Sequence, residues 1–336
     1  MNHKKTVLVV APSWLGDLVI SQTLLKLLKT QHCSLDVLAP QTLHAVLQYM
    51  PEVDNCLTSS FTHGELKLRQ RFALAKMLRL KQYLHAYILP NSFKSALIPY
   101  WAQIPLRTGW LGECRYILLN DPRTAAIQTP SMVERFAKLA LPPDSPLPQL
   151  PWPRLQVTAK IQAETLKYFN ISRTQQPILA LCPGAEYGTA KRWPPRYFAQ
   201  VAQTKHREGW EIWLFGSPKE RTIAQEIQTH SGNICLNLVG QTNLQEVIAL
   251  LAATTAVITN DSGLMHIAAA LDKPLVAIFG SSSPKFTPPL TPRAKILTLN
   301  LPCSPCFKRT CPLKHLRCLN DLLPELVLQA LREKTQ

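Results

Sequence analysis

Two glycines and a Lys-Arg pair stand in Pro183-Gly-Ala-Glu-Tyr-Gly-Thr-Ala-Lys-Arg-Trp-Pro194, directly behind the apolar run Ile178-Leu-Ala-Leu-Cys182. A run of that kind reads as a buried strand. Glycines beyond its end let backbone N–H groups approach an anion, and a basic side chain supplies countercharge. A second segment, Asn260-Asp-Ser-Gly-Leu-Met-His-Ile-Ala-Ala-Ala-Leu271, follows the strand-like Ala256-Val-Ile-Thr259 and opens a helix. Asp261 and Ser262 are residue types that cap helices. The unpaired N–H groups of the first turn beside Gly263 make a positive end. Together the two segments suggest a cradle for a nucleotide diphosphate, with Lys191 at its centre.

A third segment, Ala11-Pro-Ser-Trp-Leu-Gly-Asp-Leu18, follows the first strand-like run. It is not G-x-G-x-x-G, so the main support for a nicotinamide dehydrogenase is missing. Asp17 falls at the start of a helix. There it serves either as a plain cap or as a general base on a sugar hydroxyl.

The elements that must position these residues alternate. In the first half, Thr6-Val-Leu-Val-Val10, Leu35-Asp-Val-Leu38 and Ala86-Tyr-Ile-Leu89 read as strands, with helices over 18–28 and 93–101. In the second, strands over 178–182, 211–215, 256–259 and 275–279 alternate with helices over 197–205, 219–229, 244–253 and 264–271. This pattern predicts parallel sheets with crossover helices. Residues 142–153 hold too many prolines for helix or sheet and read as a stiff linker. The expected division is 1–150, 151–320, and a C-terminal helix in 321–336 packing back on the first lobe.

Composition bounds the function. A chain of 336 residues suits two domains, and 46% hydrophobic content suits globular folding. Lys and Arg total 37 against 21 Asp and Glu, a net charge of +16, so an anionic partner is expected: nucleic acid, an acidic membrane surface or a phosphorylated substrate. No zinc-finger spacing, RNA-recognition aromatic signature or basic repeat supports nucleic acid. The densest basic stretch, Lys67, Arg69, Arg71, Lys76, Arg79 and Lys81, is interleaved with apolar residues and reads as an amphipathic helix with a basic face. That face is either an ordinary solvated surface or one attracted to acidic lipid headgroups.

No run of eighteen uncharged apolar residues occurs, and Met1-Asn-His-Lys-Lys5 leads straight into a strand. The expected location is cytoplasmic. Nine cysteines, an odd number, argue against a disulfide framework. Cys303, Cys306, Cys311 and Cys318 cluster with His315 in a proline-rich segment without a paired CxxC. Reduced thiols closing a loop are expected there, with a structural metal as the alternative.

The motifs together resemble a known family. Pro12–Asp17, Leu89-Pro-Asn-Ser-Phe-Lys-Ser-Ala-Leu97, Arg107-Thr-Gly-Trp-Leu-Gly-Glu113, Arg115-Tyr116, Leu119-Asn-Asp121, Pro183–Pro194 and Asn260–Leu271 resemble the bacterial ADP-heptose:lipopolysaccharide heptosyltransferases, glycosyltransferase family 9. Trp14 beside Gly16-Asp17, the Asn91–Ser95 run and Ser283–Pro289 resemble the branch adding the second inner-core heptose more than the branch adding the first. The resemblance implies an α/β fold of GT-B type, two Rossmann-like parallel-sheet lobes facing a central cleft, and an inverting reaction. The implied donor is ADP-heptose. The implied acceptor is the anionic lipopolysaccharide inner core already bearing one heptose, met at the cytoplasmic face of the inner membrane. A relative with another acceptor is the nearest alternative. A non-catalytic lipopolysaccharide-binding homologue is disfavoured because Asp17, Lys191 and Asp261 are all present.

By the same resemblance Asp17 is the base, Lys191 binds the diphosphate, and Asp261 lies in the segment holding donor sugar and phosphates, with Ser262 and Gly263 at the helix end. Thr189 belongs to the phosphate loop, Glu220 matches a ribose-binding carboxylate, and Thr242 lines the adenine side. Lys94, Arg107 and Arg115 either meet acidic groups of the acceptor or are surface charges. No metal or other cofactor is implied, and no nucleic acid.

Overall fold

A computed structural model describes residues 5–59, 61, 65–124, 131–172 and 175–335. Residues 1–4, on which the reading of the amino terminus partly rests, lie outside them. The chain divides into two compact units between Pro153 and Arg154.

In the first unit the strands are β1 (Thr6–Val10), β2 (Ser34–Pro40), β3 (Asn55–Ser59), β4 (His85–Ile88), β5 (Leu106–Trp110) and β6 (Asp121–Arg123). Between and after them lie α1 (Leu15–Thr30), α2 (His44–Leu47), α3 (Leu68–Arg79), α4 (Phe93–Trp101) and α5 (Met132–Leu139). The sheet order is β3-β2-β1-β4-β5-β6 and every pairing is parallel.

In the second unit the strands are β7 (Ile178–Cys182), β8 (Glu211–Leu214), β9 (Leu236–Asn237), β10 (Ala256–Asn260), β11 (Leu275–Ile278) and β12 (Ala294–Leu297). The helices are α6 (Ala159–Tyr168), α7 (Pro195–Arg207), α8 (Arg221–Ser231), α9 (Leu244–Ala253), α10 (Gly263–Ala270), α11 (Arg317–Asn320) and α12 (Pro324–Thr335). Its order is β12-β11-β10-β7-β8-β9, again wholly parallel. Numbered within each unit, both sheets read 3-2-1-4-5-6, the doubly wound arrangement. The order reverses between β1 and β4 in one unit and between β7 and β10 in the other. Ligands of such sheets collect at the carboxyl ends of those strands.

The central strands are apolar on both faces because helices cover both. Leu8, Val9, Leu179, Leu181, Val257 and Ile258 are all buried. The C-terminal helix has its main contacts within the second unit. α12 belongs to the second unit and packs against α7, β11 and β12 there. Its stripe of Val327, Leu328, Ala330 and Leu331 joins the core cluster built on β7, β8, β10 and β11, so the second sheet already consumes its apolar face.

Candidate functional site

In the second unit the segment from Pro183 to Pro194 leaves the carboxyl end of β7 and is fixed at both ends by one side chain. Asn260, fully buried as the last residue of β10, donates its amide N–H to the Pro183 carbonyl at 2.6 Å and accepts the Trp193 backbone N–H at 3.0 Å. The two switch-point strands are thereby tied to one loop. Trp193, itself buried, locks the far end by donating its indole N–H to the Leu322 carbonyl at 2.8 Å.

Within that frame the Lys191 ammonium lies 2.5 Å from a carboxylate oxygen of Asp261, which also accepts the Ser282 hydroxyl. Asp261 is thus engaged by side chains across the switch point. The residue that caps α10 is Ser262, in extended conformation and without a side-chain cap bond, so the first N–H groups of α10 remain at the strand-end crevice. His266, one turn into α10, is buried and held down to about 4 by desolvation, with Asp261 opposing and Lys191 reinforcing that shift. It is therefore neutral at physiological pH.

Two glycines are dictated by contact. A Cβ on Gly184 would stand 1.8 Å from Glu220 Oε1, and one on Gly188 would stand 2.2 Å from the Arg309 carbonyl oxygen. Glu220 is buried at the ends of β7 and β8, where its Oε2 accepts the Ser217 N–H at 2.6 Å. The cysteine-bearing C-terminal segment lies on the same loop. Ala190 N–H donates to the Arg309 carbonyl at 3.0 Å, Tyr187 hydroxyl donates to the Phe307 carbonyl at 2.8 Å, and Phe307 N–H donates to the Ser281 carbonyl at 2.7 Å. The Tyr187 ring carries Lys191 Nζ at 5.1 Å and the Arg309 guanidinium at 5.2 Å from its centroid. Thr189 is exposed at the start of the short turn Thr189–Lys191. Thr242 is half-buried just before α9, and its hydroxyl donates to the Leu238 carbonyl at 3.4 Å. All nine cysteines are free thiols, and no group of three or more His, Cys, Asp or Glu among the described residues is arranged to hold a metal.

In the first unit the loops after β1, β4 and β5 wall a cavity of about 510 Å³. Asp17, in the first turn of α1, lines it, as do Trp14, Lys94, Arg71, Arg135 and Glu113. Three positive side chains thus meet one space that also holds the carboxylates of Asp17 and Glu113. Arg71 is buried, with its guanidinium 4.1 Å from the centre of the Phe61 ring and donating to the Leu66, Glu65 and Lys94 carbonyls. Burial lowers its pKa, and Glu65 opposes that shift. Its inclusion in a basic outer face is therefore corrected, because it belongs to the inner side of α3. No hydrogen bond or ion pair of the Lys94 ammonium or the Arg135 guanidinium to a described residue is present, leaving both suited to an incoming anion.

Two expected acceptor contacts do not reach this cavity. Arg115 is 0% exposed. It donates to the carbonyls of Trp110, Pro90 and Ser92 and to the Ser95 hydroxyl, bracing the β4 and β5 loops from beneath. Burial lowers its pKa to about 10, against the pull of Glu113. Arg107 lies near the amino end of β5, away from the carboxyl-end cavity, where it donates to Leu118 and Ile104 carbonyls at 2.8 and 2.6 Å. A charge is visible in sequence, but the end of the strand it serves and the loop it braces are not. Arg135 lies on α5 in a segment that carries no phosphate-like signature, and only the fold brings it to the cavity.

Each unit thus presents charged side chains and uncapped helix ends at a Rossmann-type switch point, the architecture of enzymes that act on nucleotide-linked substrates. The comparisons narrow that class. The sequence pattern described as glycosyltransferase family 9 (heptosyltransferase) matches residues 71–317. The chain is 42% identical over 339 residues to lipopolysaccharide heptosyltransferase 2 of Escherichia coli K12, covering 97% of each. It is 44% identical over 307 residues to lipooligosaccharide heptosyltransferase 2 of Haemophilus influenzae, covering 87% of this chain and 88% of that one. Its structure superposes on the solved E. coli ADP-heptose lps heptosyltransferase II with a TM-score of 0.87 at 40% identity, covering 98% of each chain. The chain belongs to glycosyltransferase family 9, and its fold is of the GT-B type.

Proposed function

We propose that this glycosyltransferase moves L-glycero-D-manno-heptose from ADP-heptose to the first heptose of the lipopolysaccharide inner core, with inversion at the anomeric carbon. Near-full-length identity to heptosyltransferase 2 relatives is the observation that carries this reading. The second unit takes the donor. The loop around Thr189–Lys191 and the N–H groups opening α10 at Ser262-Gly263 meet the diphosphate, Glu220 the ribose, and Thr242 the adenine side. Lys191 exchanges part of its contact with Asp261 for phosphate oxygen when donor binds. Asp261 is then freed toward the sugar.

The first unit takes the acceptor, with Lys94 and Arg135 facing its acidic groups. Asp17 removes the proton of the attacking hydroxyl as that oxygen bonds to the anomeric carbon and the bond to ADP breaks. Negative charge grows on the departing diphosphate, where Lys191 and the fixed N–H dipoles stabilise it. These positive groups make a resident metal unnecessary to the scheme. No helix among the described residues is long and apolar enough to cross a membrane. The acceptor is lipid-anchored, so the enzyme works as a peripheral protein on the cytoplasmic face of the inner membrane.

The test is incubation with ADP-heptose and truncated cores carrying zero or one heptose, followed by mass analysis. Addition of one heptose to the mono-heptose core is expected. Transfer to the heptose-free core alone would overturn the acceptor assignment.

A further inference from the structure

α3 has two faces of opposite character. Its inner face buries Arg71, Ala75 and Leu78, and Arg71 reaches the cavity of the first unit. The outer face is where a helix in water carries polar residues. Here the exposed positions of α3 include Leu68, Phe72 and Met77, with Leu80 at its carboxyl cap, and Met77 and Leu80 are 67% and 85% exposed. Leu66 and Leu84 flank them. These six are a large share of the nineteen exposed large apolar side chains among the described residues, gathered into nineteen consecutive positions. Apolar area so concentrated marks an interaction surface.

The charges on that face have one sign. Arg69, Lys76 and Arg79 are exposed between the apolar residues, Lys67 and Lys81 flank them, and Leu68–Arg79 contains no Asp or Glu. The nearest carboxylate along the chain, Glu65, is paired with Lys67 at 2.9 Å. A nucleic acid would use the basic groups and leave the Leu and Met side chains without a partner. An acidic bilayer uses both: apolar side chains sink into the headgroup boundary while Lys and Arg extend to lipid phosphates. The helix is held for this purpose by its buried Arg71, Ala75 and Leu78 and by packing on α4, where the Phe72 ring, at the margin of the exposed side, meets Trp101 edge-on at 5.6 Å between centroids.

The geometry points to α3 as the element that docks the enzyme on an anionic lipid surface, lying flat over its length of about 18 Å with its outer face in the headgroup region. The inference rests on the functional reading in one respect. Because the inner face of α3 walls the cavity, docking sets that cavity beside the surface that holds a lipid-anchored acceptor.

The test is flotation of the full chain with vesicles of phosphatidylethanolamine and phosphatidylglycerol, with phosphatidylcholine vesicles as the neutral control. Two double variants are compared, Met77→Glu with Leu80→Glu and Lys76→Glu with Arg79→Glu, each checked for native circular dichroism. Wild type is expected to float with the anionic vesicles only. Loss of one basic group lowers partitioning about fivefold, so each double variant is expected to lose at least about tenfold. Turnover of a deacylated, soluble acceptor is expected to stay unchanged in both. The proposal is overturned if both variants float as wild type does, or if wild type ignores anionic vesicles. It is equally overturned if the variants lose affinity for duplex DNA while keeping that for vesicles. Should no form turn over the deacylated acceptor, the functional reading fails while the flotation result still decides the docking surface.

Discussion

The Asn260 side chain accepts the backbone N–H of Trp193 at 3.0 Å, and its own amide N–H reaches the Pro183 carbonyl, so one buried residue sets the span of the Pro183–Pro194 loop. Asn260→Ala strands two backbone groups in a dry interior, each costing about 1–3 kcal/mol. The expected result is a stability loss of about 2–5 kcal/mol together with weaker ADP binding. Denaturant titration and calorimetry on the same preparation measure both, and an unchanged ADP Kd would remove the loop-setting role.

Asp17→Asn keeps the shape of the α1 amino terminus and removes the proton acceptor. Turnover is expected to fall about 10²- to 10⁴-fold, the range for a positioned base. ADP affinity should stay at the wild-type value because the residues proposed to hold the donor lie in the second unit. Near-normal turnover would sink the assignment.

Arg115 and Arg135 make opposite predictions despite their shared charge. Arg115→Ala leaves the carbonyls of Pro90, Ser92 and Trp110 without their donor, so a folded-state loss of about 3 kcal/mol or more is expected. Arg135→Ala should leave the melting temperature nearly unchanged and raise KM for a phosphorylated acceptor about ten- to a hundredfold, the worth of a charge-assisted bond. Thermal melts and steady-state kinetics on the pair separate brace from ligand contact.

Stability should depend on pH through two desolvated imidazoles, the half-buried His85 and the buried His266. His85 and His266 are both lowered to about 4 from the ordinary 6.5, by desolvation first of all. The unfolded chain therefore binds more protons between those values, and stability rises with pH across that window. The contribution is complete above about pH 6.5 and is lost toward pH 4, up to roughly 3 kcal/mol for each group. Urea titrations from pH 7 to 4.5 should show the fall, and His266→Gln should flatten part of it. A slope unchanged by that substitution would show that His266 takes up its proton over the same pH range in the native and unfolded chain.

Gly188→Ala drives a methyl group into the Arg309 backbone, which offers no flexible side chain to yield. The bond from Ala190 N–H to Arg309 should break, and the cysteine-bearing segment should detach from the donor loop. Faster alkylation of Cys306 and Cys311, both partly shielded in the native fold, reports that release.

The legible parts of the sequence were those whose composition is forced by burial on two faces. The runs at β1, β2, β4, β7, β8, β10 and β11 are apolar because helices cover them, and their alternation with helical patterns gave the parallel class. The edge strands escaped notice. β3, β6 and β9 read Asn-Cys-Leu-Thr-Ser, Asp-Pro-Arg and Leu-Asn, half-exposed segments without an apolar pattern. β5 was hidden because Arg107 and Gly109 interrupt it. At the site, Lys191, Asp261 and Asp17 announced themselves by glycine and helix-start context. Asn260 did not, since one amide at a strand end looks like any turn residue until the loop it spans is folded. Arg71 was misplaced for a related reason: helical spacing shows which residues share a face, but the interruption of apolar residues by a buried guanidinium hides which face is inward.

The strand order repeated in both units has a consequence for change over time. Each sheet carries its own switch point, and the groups expected to face acceptor and donor lie on separate chain segments divided at Pro153. Substitutions at Lys94, Arg135 or the α3 surface leave every hydrogen bond of the Asn260 frame intact. Acceptor preference can therefore drift among descendants of one ancestor while the nucleotide-sugar half is inherited nearly untouched.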